Sequence, residues 1–149
     1  MIVGHVNDAD IPWVDCGGGI ELKVIRVDQA QGHWVVRNRF QPGVRLQTHR
    51  HTGCVNGLTI SGCWMYEEYG VRYQAGTYIF EPAGSVHTLV VPDDLTEPTD
   101  AFFVMEGVNL NLDSDGNIES VTDGMSTLNA YYALCEAQSK PRPTGIITN

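Results

Sequence analysis

GVRLQTHRH, residues 43–51, decides how this chain is read. It follows a break at Gln41-Pro42 and alternates with period two until the turn formers Thr52 and Gly53 end it. Successive side chains on a strand point to opposite faces, so His49 and His51 share one face while Arg50 takes the other. Neutral imidazole nitrogens are ligands for Fe(II), Mn(II), Ni(II) or Zn(II), and a third ligand from a neighbouring strand would complete one face of a metal. Alone, a His-x-His pair is equally well two polar residues on a wet strand face.

Working outward, the flanks of this stretch read as further short strands. Ile20–Val27 and His33–Phe40 are β-rich runs separated by a turn carrying Gly32, the expected first antiparallel pair. Leu58–Tyr69 reads as one strand with a bend at Gly62. Thr77–Phe80, Val86–Val91 and Ala101–Val108 follow, divided by EPAGS and by the polar loop PDDLTEPTD. Asn109–Leu112 and Ile118–Thr122 flank DSDGN, a strong hairpin turn because Asp-Gly and Gly-Asn tolerate the backbone angles it needs. So many short strands call for a sandwich or barrel that shields its edges. The tail differs: Leu128, Tyr131, Leu134 and Cys135 stand at helical spacing, which predicts one helix over about 128–138 lying on the barrel.

Composition bounds the function. The 149 residues suit a single domain, expected over 1–149, with a barrel core at about 20–122. Sixteen Gly and seven Pro favour turns and strands over long helices. Eighteen acidic against nine basic residues give a formal charge of -9 without a Lys/Arg stripe, so nucleic acid and anionic membrane are not expected partners. Four scattered cysteines without a CxxC pair fit a reducing compartment, and there is neither a signal-peptide pattern nor an 18-residue apolar run, so a cytoplasmic protein is expected.

GVRLQTHRH and GTYIFEPAGSVH, residues 76–87, together resemble the two motifs of the cupin superfamily. The first has Gly, five residues and His-x-His; the second has Gly, five residues, Pro-x-Gly, two residues and a closing His87. The resemblance implies an all-β jelly-roll barrel with His49, His51 and His87 as metal ligands. The glutamate usual in the first motif is missing, since Val55 and Asn56 stand where it falls. Glu68, at period two after Trp64 and Tyr66, ranks first as its substitute, with Glu67 second and Glu81 third. Glu81, beside Pro82, can equally cap a turn.

The combination HRHTG, WMYEE, YIFEPAGSVHTL and FFVMEGVNLNLDSDGN looks like the 2,4'-dihydroxyacetophenone dioxygenase family of cupins. That resemblance implies non-haem iron held by three His and a Glu on a later strand, with Glu68 in the matching position. It further implies cleavage of a C–C bond beside the carbonyl of a small ketone, with O2 as co-substrate. Trp64, Tyr66, Tyr78, Phe80 and Phe102 are expected to line an apolar pocket. Arg45 and Gln47, on the histidine face by parity, are expected beside the substrate, and Arg45, Tyr66 and Glu68 form the expected catalytic set. Fe(II) is the expected metal, with Zn, Mn or Ni as alternatives, and a homodimer or larger homo-oligomer is the expected assembly. A non-catalytic metal-binding sensor and an oxygen-independent isomerase are the other readings, because one fold hosts many chemistries.

Overall fold

A computed structural model describes residues 3–148; the outermost residues of the expected 1–149 domain lie outside the described residues. The chain begins with β1 (Val14–Asp15), β2 (Ile20–Asp28) and β3 (His33–Phe40), then β4 (His49–His51) and β5 (Val55–Ser61). There follow β6 (Cys63–Tyr66), β7 (Arg72–Gln74), β8 (Tyr78–Glu81), β9 (Val86–His87) and β10 (Leu89–Val90). β11 (Thr99–Glu106), β12 (Asn109–Leu112), β13 (Ile118–Thr122), α1 (Gly124–Ala137) and β14 (Ile147–Thr148) complete it.

The strands form three sheets that wrap a shared interior in a jelly-roll-like arrangement without closing into a barrel. The largest runs β1-β2-β3-β11-β5-β8, with β14 parallel to β2; the others are β10-β6-β7 and β13-β12-β4-β9. β2 and β3 pair antiparallel, as the apolar runs around Gly32 predict. Alternation along β11 buries Ala101, Phe103 and Met105, which join Val24, Val36, Phe40, Val55 and Trp64 in the core. Arg37 clamps this sheet from outside through a two-pronged pair with Asp100, at 2.8 and 2.7 Å.

Three expectations change here. Leu58–Tyr69 is not one strand: Gly62 has φ 77°, and the chain passes there from the large sheet into the β6 sheet. A Cβ at Gly62 would lie 2.6 Å from Thr99 Oγ1, so only glycine fits this corner. The run VRLQTHRH forms a strand only at its end, with Arg45 held by an isolated bridge to Val90. The helix is present and buries Leu128, Tyr131 and Cys135 as its spacing implies, but it starts earlier, at Gly124. Asp123 caps it, accepting from Ser126 N at 2.7 Å while its own N–H donates to Ser126 Oγ at 2.9 Å.

Candidate metal centre

β4 and β9 pair so that His49 stands directly opposite His87. Parity puts His51 on the same side as His49, and the three rings form a near-equilateral triangle with centroids 4.7, 5.0 and 5.0 Å apart. Their potential ligand atoms all lie within 4.8 Å of one another. The ring Nδ1 of His49 is 2.9 Å from the Gln47 carbonyl. A carbonyl only accepts, so Nδ1 carries the proton and the Nε2 lone pair is free for a metal. Burial, with added repulsion from His51 and His87, outweighs that hydrogen bond and the pull of Glu81 and pushes His49 down to about 4. It is therefore neutral at physiological pH, as a ligand must be.

The carboxylate beside these rings is that of Glu81. On β8 the outward row is Tyr78 and Phe80, and the inward row is Ile79 and Glu81. Glu81 Oε2 lies 2.8 Å from His51 Nε2 and 3.2 Å from His87 Nε2, and those two nitrogens are 3.0 Å apart. Despite these short distances Oε2 is not aligned for a hydrogen bond and remains unpartnered in a buried position. Donor atoms at right angles around a metal with bonds of 2.0–2.1 Å are about 3.0 Å apart. The spacing therefore fits a common metal ion better than a set of mutual hydrogen bonds. Burial raises the Glu81 carboxyl, but the closeness of the His51 and His87 rings brings it below the usual carboxylate range. Three imidazole nitrogens and one carboxylate suit Fe(II), Mn(II), Ni(II) or Zn(II).

Glu68 and Glu67 are not in this cluster. β6 ends at Tyr66 and a turn follows, so the period of two that would carry Glu68 inward stops before reaching it. Glu68 is exposed and accepts from Thr88 N at 3.0 Å, bracing the chain next to His87 from outside. Arg45 is likewise outside, paired with Glu67 at 2.9 Å between two half-exposed side chains. Gln47 is exposed and donates to Leu112 O and Glu119. The irregular backbone between Arg45 and Thr48 breaks the parity with His49, and Leu46 takes the inward place.

A cavity of ≈ 670 Å³ opens over His49, His51 and Glu81. Leu22, Phe40, Leu46, Val55, Phe103 and Met105 give it apolar walls, Asn38 and Asn109 supply polar points, and Ser126, Thr127, Ala130 and Leu134 of α1 border it. Tyr66 is the expected pocket aromatic that lines it; its ring stacks on His87 with centroids 4.2 Å apart, and its buried hydroxyl has no partner. Tyr78 and Phe80 point outward at 62% and 58% exposure, while Phe102 lies on the outer row of β11. Trp64 is fully buried in the core behind the cavity, its indole N–H donating to Thr59 Oγ1 at 2.8 Å. Parity held the usable signal: Phe102 shares its row with Glu106, which marks that row as outward and assigns Phe103 and Met105 to the inside.

Among the described residues no helix is long and apolar enough to cross a membrane. A family model described as the ChrR cupin-like domain matches residues 3–108. No functionally curated protein matches the chain. A protein of unknown function with a cupin-like fold from Ralstonia eutropha JMP134 is 32% identical over 97% of this chain and 91% of its own, with a TM-score of 0.88. An RmlC-like cupin from the same organism is 25% identical, with a TM-score of 0.89 over 99% of this chain and 96% of its own. An acetylacetone dioxygenase from Acinetobacter johnsonii shares the fold at 17% identity, with a TM-score of 0.74 over 90% of this chain and 93% of its own.

Proposed function

This chain belongs to the ChrR cupin-like domain family, and from that premise we propose that it is a non-haem Fe(II) dioxygenase cleaving the C–C bond beside the carbonyl of a small, preferably aryl, hydroxy ketone or diketone. One observation carries the reading: three imidazoles and the Glu81 carboxylate cluster together, and His49, His51 and Glu81 of that cluster face an apolar cavity large enough for such a molecule. The motif resemblance to 2,4'-dihydroxyacetophenone dioxygenases and the fold shared with an acetylacetone dioxygenase support the choice of reaction.

His49, His51, His87 and Glu81 would hold the iron, which supplies Lewis-acid activation of the ketone oxygens and a binding position for O2. Glu81 lowers the net charge of the centre, and the Gln47 carbonyl fixes the His49 tautomer. Leu46, Val55, Phe103 and Met105 exclude water and hold the hydrocarbon part of the substrate. Tyr66 borders the cavity and stacks on His87, which would hold that ring in its ligating orientation. Both atoms of O2 end in products, so a hydroxymethyl ketone gives two carboxylic acids and a diketone gives an acid and a carbonyl compound. Turnover with labelled O2 tests this: label in the acid products is expected, and unlabelled acids or turnover without oxygen would exclude it.

A metal-binding sensor module is the second reading, favoured by the ChrR domain match over residues 3–108. It is distinguished by tight metal binding without oxygen uptake on any aryl hydroxy ketone or diketone. A homo-oligomer remains part of the proposal, supported by the outward Leu58 and Ile60 of β5 at 43% and 42% exposure, and light scattering reads it directly.

A further inference from the structure

The large cavity reaches His49 and His51 but not His87. His87 instead lines a separate chamber of ≈ 210 Å³ between the β6–β7 hairpin and the β8–β9 loop. Tyr69 and Pro82 at its rim are exposed, and Tyr66 and Glu81 border both spaces, forming the partition between them. Of the five buried side-chain polar atoms without a partner among the described residues, three belong to residues lining this small chamber, and two of them, Tyr66 OH and Ser85 Oγ, are not accounted for by the metal cluster. Tyr66 and Glu81 are only 4% and 6% exposed. Buried polar atoms are nearly always satisfied, and water fills a site that offers two to four polar partners. At ~30 Å³ each, several ordered waters fit the chamber, which is smaller than the ~300–1,000 Å³ typical of pockets for organic ligands.

We propose that the metal centre has two approaches: the apolar cavity for the organic molecule, and this polar chamber, holding ordered water, through which water and small inorganic anions reach the His87–Glu81 side. The proposal rests on the metal site assigned above but not on the dioxygenase reaction. Its consequence is that a small ligand can exchange while the large cavity is filled.

The probe is azide binding to the cobalt(II)-loaded protein, followed by visible absorbance, with cobalt content measured for each variant. Ser85→Leu, which fills the chamber, is expected to slow azide binding about tenfold or more at unchanged cobalt content, while Ala130→Trp at the border of the large cavity changes the rate less than about twofold. An unchanged rate in Ser85→Leu, or slowing by Ala130→Trp alone, overturns the proposal. A crystal structure of the wild type gives a reading that depends neither on the variants folding nor on metal: waters bonded to Tyr66 OH and Ser85 Oγ are expected, and a dry chamber overturns the inference. Unlabelled acids in the oxygen experiment would remove the dioxygenase reading and leave both of these results standing.

Discussion

Val55 and Glu81 face each other in register across the β5–β8 ladder. Val55, with Asn56, stands where the cupin motif leads one to expect a glutamate, and the carboxylate beside the histidines belongs to the residue opposite Val55. Glu81→Gln is therefore expected to weaken metal binding by at least about tenfold, the lower end of the loss on removing a group that supports a metal ligand, with the fold intact by circular dichroism. Glu68→Gln leaves affinity near wild type, because its carboxylate serves Thr88 N. Calorimetric titration with the metal compares the two, and equal effects would remove Glu81 from the site.

His51→Ala is expected to lower metal content more than it lowers cooperativity of unfolding, since the strands around it pair through backbone hydrogen bonds that do not need the ring. Metal analysis after purification without added metal reads this, and wild-type content would contradict it.

The metal-free protein should be sensitive to acid through His49. Its pKa of about 4 in the folded chain is below the ordinary imidazole value of about 6.5 in the unfolded chain, so the unfolded state binds more protons between the two. Stability present at neutral pH is lost as the pH falls across that window, and this group adds no further loss below it. Thermal melts of metal-free wild type and His49→Gln across the window check this, with a shallower pH dependence expected in the variant. Saturating metal should move the wild-type loss to lower pH, because it binds the neutral ring.

Phe103 and Met105 line the cavity while Phe102 does not. Met105→Trp is expected to weaken binding of an aryl ketone by about tenfold or more, and Phe102→Trp to leave it unchanged. Equilibrium binding to the metal-loaded protein in the absence of oxygen measures both.

Arg37→Met removes the two-pronged partner of Asp100, which is only 6% exposed. Breaking such a pair leaves a carboxylate with poorer compensation, so a loss of about 2–4 kcal/mol is expected in urea unfolding, with metal affinity unchanged. A change below about 0.5 kcal/mol, the range of an ordinary surface substitution, would contradict this.

Much of the molecule is legible along the chain because the responsible physics is local. Period-two runs bounded by Gly, Pro, Asn and Asp place β2, β3, β12 and β13 closely, and the helical spacing of Leu128, Tyr131 and Cys135 places the buried face of α1. His49 and His51 are separated by one residue on one strand, so their common direction follows from the pleat. That His87 joins them is what the resemblance to the two cupin motifs implies, and the β4–β9 register places it opposite His49.

The carboxylate and the pocket depend on relationships that no local pattern contains. Counting by twos carries Glu68 inward only while the strand lasts, and β6 stops at Tyr66. The same count fails across the irregular backbone before His49, which turns Arg45 and Gln47 outward and Leu46 inward. Glu81 comes within reach of His51 and His87 only when β8 pairs with β5 and its inward row faces them. Alternation says that neighbouring side chains take opposite faces; which face becomes the inside is settled by the pairing of whole sheets around the core.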